Sequence, residues 1–137
     1  MLVSRHDGMV RQFVVDDKGC ILIVCFGVPG FSHDNDPELG VLLGLSVRNG
    51  GAPGVRASVG ITTGRVFCGI VGAEKRREYA MVGDAINVAA RLACLHADDF
   101  IVDEETYKLT RLSIEYDGIR QVVMLKGQNK PALVYRP

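Results

Sequence analysis

A strand-like run that stops at a glycine and passes at once into a helix-like run is the feature that most limits how this chain can fold. Tyr79–Val82 is apolar, Gly83 breaks the run, and Asp84 is the predicted N-cap of a helix that begins immediately. Asn87 and Arg91 are four residues apart, so the helix would place both on one face near its start. An amide and a guanidinium together there suit a ligand with hydroxyls and phosphates.

The remaining pattern predicts hairpins that alternate with helices. Met9–Val15 and Cys20–Phe26 predict one hairpin, and Val55–Ile61 with Val66–Val71 predict a second. The other predicted elements are a glycine-containing helix at 37–48, a helix at 84–95, a strand at 100–102, a helix at 104–109 capped by Asp103, and strands at 114–116, 121–125 and 132–135. We therefore expect an α+β domain with an antiparallel sheet covered on one face. The length of 137 residues fits a single domain, residues 1–137.

Charge and hydropathy exclude several classes of partner. Sixteen basic and sixteen acidic residues give a formal net charge of zero, which offers no electrostatic case for nucleic acid or an anionic membrane surface. No apolar run approaches the roughly 20 residues that span a bilayer, and the N-terminus lacks the apolar core of a signal peptide. Four cysteines without a C-x-x-C pair predict buried free thiols in a reducing compartment, so we expect a cytoplasmic protein.

Residues 78–92 contain Y-x-x-V-G-D-x-x-N-x-A-x-R-L, which resembles the signature of the class III nucleotidyl (adenylyl/guanylyl) cyclase catalytic domain. The similarity runs from about Gly19 to Tyr135 and includes F-G-x-P at 26–29, a glycine-rich segment at 55–72, and Leu-Lys-Gly at 125–127. Within the family the chain looks most like the second cyclase domain of soluble adenylyl cyclase. The resemblance implies a ferredoxin-like antiparallel sheet with helices on one face.

The resemblance also implies a reaction and its residues. ATP would be converted to 3′,5′-cyclic AMP and pyrophosphate at a site shared by two cyclase domains, one of which holds Mg²⁺ or Mn²⁺. By position, Asn87 would orient the ribose and Arg91 would stabilise the transition state. Ala80 falls on a base-reading position that often carries Asp or Thr in the family. For Lys18 and Lys126 a contact with base or phosphate and a solvated turn lysine both stay open.

The chain departs from the family pattern where metal is bound. Gly19-Cys20 replaces the usual Gly-Asp, and the opening strand that carries the other metal aspartate is absent. We therefore predict no metal ligand here, an N-terminally incomplete domain, and a non-metal half of a composite site in intracellular signal transduction whose partner is a second cyclase domain. The alternative is a non-catalytic cyclase-like domain that dimerises with and regulates a partner. A generic ferredoxin-like binding module is a third interpretation.

Overall fold

The computed structural model describes residues 2–17, 19–50 and 53–137. Contacts divide the chain into two compact units, one ending at Val55 and the other running from Arg56 to Pro137. Within the described residues, no helix has the length and apolar character needed to cross a membrane.

The first unit consists of a hairpin and a long helix. Its elements are α1 (Leu2–Arg5), β1 (Met9–Asp16), β2 (Gly19–Cys25) and α2 (Asp36–Gly50). Strands β1 and β2 pair antiparallel from Met9 opposite Cys25 to Asp16 opposite Gly19, so the predicted first hairpin is confirmed. The predicted helix at 37–48 is also confirmed. Its two glycines are buried, and a Cβ on Gly40 would make only an ordinary van der Waals contact with the Phe26 ring, at 3.6 Å.

The second unit contains a mixed four-stranded sheet, a separate two-stranded ribbon and two helices. Its elements are β3 (Val59–Ile61), β4 (Phe67–Ala73), β5 (Arg76–Val82), α3 (Asp84–Ala93), β6 (Phe100–Asp103), α4 (Glu104–Thr110), β7 (Gln121–Val123) and β8 (Ala132–Tyr135). The sheet order is β3-β6-β8-β7, and β4 pairs only with β5 among the described strands. The expected α+β class is confirmed.

The predicted second hairpin is wrong. Val59–Ile61 pairs in parallel with Phe100–Val102, whereas β4 pairs antiparallel with β5 from Phe67 opposite Val82 to Ala73 opposite Arg76. Residues 74–75 form the turn between these two strands. The tight turn between β4 and β5 lets seven residues of each strand pair, whereas β3 has only three residues available for pairing. The longer pairing, between strands adjacent in sequence, therefore forms in place of a β3–β4 hairpin.

The core of the second unit lies between α3 and the sheet. Leu92, Ile101, Leu125 and Val134 are each at most 2% exposed and form one cluster. Burying a side chain of this kind stabilises the folded state by about 1.5–3 kcal/mol. At Gly60 the strand touches the helix, since a Cβ there would clash with the carbonyl oxygen of Ala89 and lie 2.5 Å from the Ala93 nitrogen.

An ion pair joins three strands at one end of the sheet. Arg136, just after β8, donates to the carboxylate of Asp99, just before β6, with its shortest contact at 2.7 Å. It also donates to Oε1 of Gln121, the first residue of β7, at 3.0 Å. The hydrogen bonds from Arg136 are the main reason that the pKa of Asp99 is lowered.

Two local predictions are wrong, namely the burial of the cysteines and the strand at 114–116. The four cysteines form no disulfide with one another, as predicted, but Cys20 and Cys94 are exposed, and Cys25 and Cys68 are only partly buried. Cys20 lies on the open β1–β2 ribbon, so its place in an apolar run did not bury it. Residues 114–116 form no strand, because Ile114 turns back to bond the carbonyl of Thr110 at the end of α4.

Candidate functional site

The junction between β5 and α3 depends on a close backbone approach at Gly83. A Cβ on Gly83 would lie 2.9 Å from the carbonyl oxygen of Arg65, so a larger residue would push the two segments apart. Gly83 is also the N-cap residue, and no side chain caps the helix. The predicted Asp84 cap is therefore wrong. Asp84 is the first helical residue, and its carboxylate is stabilised there by the positive end of the helix dipole.

Helix α3 places the two principal candidate residues on one face. Asn87 is exposed and Arg91 is partly buried, one helical turn further along. A Cβ on Gly127 would lie 3.5 Å from Nη2 of Arg91, so the guanidinium rests against the backbone of the loop after β7. Gly127 has φ 79°, a left-handed conformation that favours glycine.

Arg91 lacks the carboxylate partner that three other cations of this unit have. Arg56, Lys108 and Arg136 each pair with a carboxylate. Among the described residues, none forms a hydrogen bond or ion pair with the Arg91 guanidinium. The guanidinium of a partly buried arginine that pairs with no described carboxylate is suited to an anionic ligand with oxygen acceptors.

The loop after β7 brings Lys126 into the same neighbourhood along the chain. Leu125 is buried in the core, and a turn follows in which the amide of Gln128 donates to the Leu125 carbonyl at 3.0 Å. Lys126 is exposed next to Gly127, the residue that touches Arg91. The structure thus joins Asn87, Arg91 and the Lys126 loop in one region. The predicted Lys18 lies outside the described residues.

Ala80 occupies a small apolar position on β5. It lies opposite Gly69 in the β4–β5 ladder. The Phe67 ring covers Gly69, because a Cβ on that glycine would lie 2.7 Å from Cζ of Phe67. The predicted base-reading position therefore has an apolar side chain near an aromatic ring that is 61% exposed. The Ala80 side chain offers no hydrogen bond to a purine edge.

The described residues do not fit a divalent-metal site of the kind that the resemblance implies. They contain no group of three or more His, Cys, Asp or Glu side chains placed to hold a metal ion. Cys20, at the position of the usual aspartate, presents an exposed thiol, whereas Mg²⁺ prefers oxygen ligands.

Sequence reasoning missed the segment that holds the start of α3. Thr62, directly after β3, donates its hydroxyl to the carbonyl oxygen of Ala85 at 2.7 Å. The next residue, Thr63, contacts the hydroxyl of buried Thr106 at 2.8 Å. These residues were assigned to a hairpin turn, and the available signal was a pair of threonines between two glycines, Gly60 and Gly64.

Comparison with known proteins agrees with this arrangement. Residues 39–135 match the adenylate and guanylate cyclase catalytic domain. The chain is 28% identical over 132 residues to adenylate cyclase type 10 of Rattus norvegicus, covering 94% of this chain and 8% of that protein. It is 35% identical over 141 residues to the uncharacterized protein Mb1354c of Mycobacterium bovis, covering 98% of this chain and 24% of that protein.

Among solved structures, the adenylyl cyclase CyaB from P. aeruginosa superimposes with a TM-score of 0.80 at 25% identity, covering 98% of this chain and 74% of that one. The chain therefore spans a small part of these curated relatives and about three quarters of this solved domain. The family match covers both Asn87 and Arg91 and extends over most of the sequence. This chain belongs to the adenylate and guanylate cyclase catalytic domain family.

Proposed function

We propose that this domain supplies the ribose- and phosphate-binding half of a composite adenylate cyclase site, in which a second cyclase domain holds Mg²⁺ or Mn²⁺. The reaction would convert ATP to 3′,5′-cyclic AMP and pyrophosphate, in cytoplasmic signal transduction. Asn87 would orient the ribose, and Arg91 would stabilise negative charge that develops on the reacting phosphate. The bound ions would neutralise phosphate charge.

The observation that carries this proposal is the environment of the Arg91 side chain. Arg91 is a partly buried residue, and its guanidinium lies near Gly127 with no hydrogen-bond or ion-pair partner among the described residues. A cation that is already partly removed from water loses less solvation when it meets a phosphate, so the contact is stronger than at an exposed arginine. Exposed Asn87 lies on the same helix face, at a distance suited to an adjoining hydroxyl-bearing group. Lys126 can add a further phosphate contact from the neighbouring loop.

A partner domain is supported by exposed apolar side chains on both faces of the β4–β5 ribbon. Phe67 lies opposite Val82 on one face, and Ile70 belongs to the other face. Phe67, Ile70 and Val82 are 61%, 70% and 61% exposed, although each is a large apolar side chain. Exposed apolar groups gathered on one element mark an interaction surface more often than isolated ones do. The partner we propose is a metal-bearing cyclase domain, in the same chain or another.

The choice of ATP over GTP is proposed from the relatives, two of which are adenylyl cyclases by name. Ala80 would contact the base without a hydrogen bond from its side chain. We therefore expect modest discrimination between the two nucleotides, because sites lacking polar readout reject a wrong base weakly.

The test is to mix the domain with a metal-bearing cyclase domain and to measure cyclic nucleotide formation from ATP and GTP with Mg²⁺ or Mn²⁺. We expect no turnover by this domain alone and turnover in the mixture. Arg91→Ala should lower turnover about a hundredfold or more, since it removes a charge that acts in the transition state.

Arg56→Ala is the matched control, because Arg56 is exposed and already paired with Asp98. It should leave turnover unchanged. Unchanged turnover in a folded Arg91→Ala domain would contradict the assignment.

A second candidate function is a non-catalytic domain that dimerises with and regulates a partner. Exposed Cys20 in place of a metal aspartate and apolar Ala80 favour it. Nucleotide binding separates the two candidates, since a purely regulatory scaffold of this kind would bind no ATP either alone or with its partner.

A further inference from the structure

The start of α3 is held by a neighbouring segment of the sheet. The helix has no side-chain cap, yet Thr62 donates its hydroxyl to the carbonyl of Ala85, the second helical residue, at 2.7 Å. Gly64 touches the same residue, because a Cβ on Gly64 would lie 3.2 Å from the Ala85 Cβ. Two contacts from residues 62–64 therefore meet the helix two residues before Asn87.

The same segment is fixed from the other side by α4. The amide of Thr63 donates to Oδ1 of Asp103 at 3.4 Å, and Asp103 also accepts from the amide of Thr106 at 3.0 Å. The hydroxyls of Thr63 and Thr106 lie 2.8 Å apart, and Thr106 is fully buried. The segment is thus tied to a rigid helix cap, so Thr62 presents its hydroxyl to α3 from a fixed position.

We propose that Thr62 is a positioning residue, which sets the orientation of Asn87 by holding the Ala85 carbonyl at the first turn of α3. The proposal rests on the proposed role of Asn87 in ribose binding and adds a residue that does not touch the nucleotide. Without the Thr62 bond, the uncapped first turn would sample more conformations, and the Asn87 amide would meet the ribose less often in a productive geometry.

Two neighbouring threonines provide a matched pair of variants. Thr62→Val removes the hydroxyl bonded to α3 and keeps the shape, whereas Thr63→Val removes the hydroxyl bonded to α4. Both side chains are partly buried, so both changes remove a comparable hydrogen bond. Thr62→Ser keeps the donor and should restore the behaviour of the wild-type domain.

A readout that needs no activity is hydrogen exchange at the amide of Ala89, which bonds the Ala85 carbonyl within the helix. Thr62→Val should speed this exchange about fivefold, the factor that corresponds to one hydrogen bond. Thr62→Ser should leave it near the wild-type rate, and Thr63→Val should change it less than Thr62→Val does, because the Thr63 amide keeps its bond to Asp103. Equal exchange in the Thr62→Val and wild-type domains would overturn the proposal even if the mixed domains show no cyclase turnover.

The activity readout is a double-mutant cycle in the mixture with a metal-bearing domain. If Thr62 acts through Asn87, then Asn87→Ala will lower turnover far less in the Thr62→Val background than in the wild-type background. In the Thr63→Val background the effect of Asn87→Ala should be undiminished. Fully additive effects of Thr62→Val and Asn87→Ala would show that Thr62 has only a structural role.

Discussion

Asp103 is a carboxylate whose surroundings oppose its charge. Burial is the largest influence and raises its pKa, although it accepts bonds from the amides of Thr63 and Thr106. The folded domain consequently holds the Asp103 proton more tightly than the unfolded chain does. Ionisation of Asp103 therefore lowers the free energy of unfolding as pH rises from the ordinary carboxyl pKa to the raised value.

This effect predicts a pH-dependent difference between the wild-type domain and Asp103→Asn. Asparagine keeps an oxygen for the two amides but does not titrate in this range. The free energy of unfolding of the wild-type domain, relative to the variant, should fall as pH rises above about 4. Urea denaturation at a series of pH values measures it.

Asp99→Asn is the control of opposite sign. Arg136 lowers the pKa of Asp99, so the stabilisation from Asp99 is present above the ordinary carboxyl pKa and is lost as pH falls through the lowered folded value. If both variants show the same sign of pH dependence, the account of Asp103 is wrong.

At the scale of elements, the contact between β3 and α3 decides where Asn87 and Arg91 lie. Gly60 is partly buried beneath the helix, and the Ala89 carbonyl and the Ala93 nitrogen occupy the space that a Cβ would need. Both neighbours are backbone atoms, which cannot move aside as the end of a side chain can. The helix can approach the sheet this closely only because residue 60 has no side chain.

Gly60→Ala should therefore lower the free energy of unfolding by about 2–3 kcal/mol through overpacking. It should also lower turnover in the mixture beyond the loss of folded protein, because α3 must move away from the sheet. Denaturation midpoints combined with turnover per folded molecule give both values.

Gly50→Ala is a suitable control, since a Cβ there meets nothing within 4 Å. It should be close to neutral in both measurements. A Gly60→Ala domain of wild-type stability would contradict the tight packing.

At the scale of the whole molecule, the β4–β5 ribbon is the surface through which we expect a partner domain to bind. Ile70→Lys places a charge at a position that is 70% exposed in the isolated chain, so folding should be little affected. In a complex the lysine charge would lose its water without gaining a partner, which costs free energy. Association with the metal-bearing domain should therefore weaken at least about tenfold. Sedimentation of the mixture measures the association.

Leu112→Lys is the matched control, because Leu112 is 94% exposed and follows α4 rather than lying on the ribbon. It should leave association unchanged. Equal weakening by both variants would indicate a general effect of charge instead of a specific interface.

The sequence alone determined the elements whose signals are local. The glycine between Val82 and Asp84 starts α3 within one residue of the prediction, Asp103 caps α4 as expected, and β1 pairs with β2 as the predicted first hairpin requires. It also predicted the helix face shared by Asn87 and Arg91, since four-residue spacing fixes this in any α-helix.

Tertiary structure decided what depends on contacts distant in the chain. The parallel pairing of β3 with β6 placed Thr62 and Gly60 against α3, and a pattern of apolar residues carries no information on which strand is the neighbour. The same holds for Gly127 beside Arg91, 36 residues apart in sequence. Asn87 and Arg91 could be identified from the local sequence of α3. Their positions in space depend on β3 and the loop after β7, because the orientation of a helix is set by what it packs against.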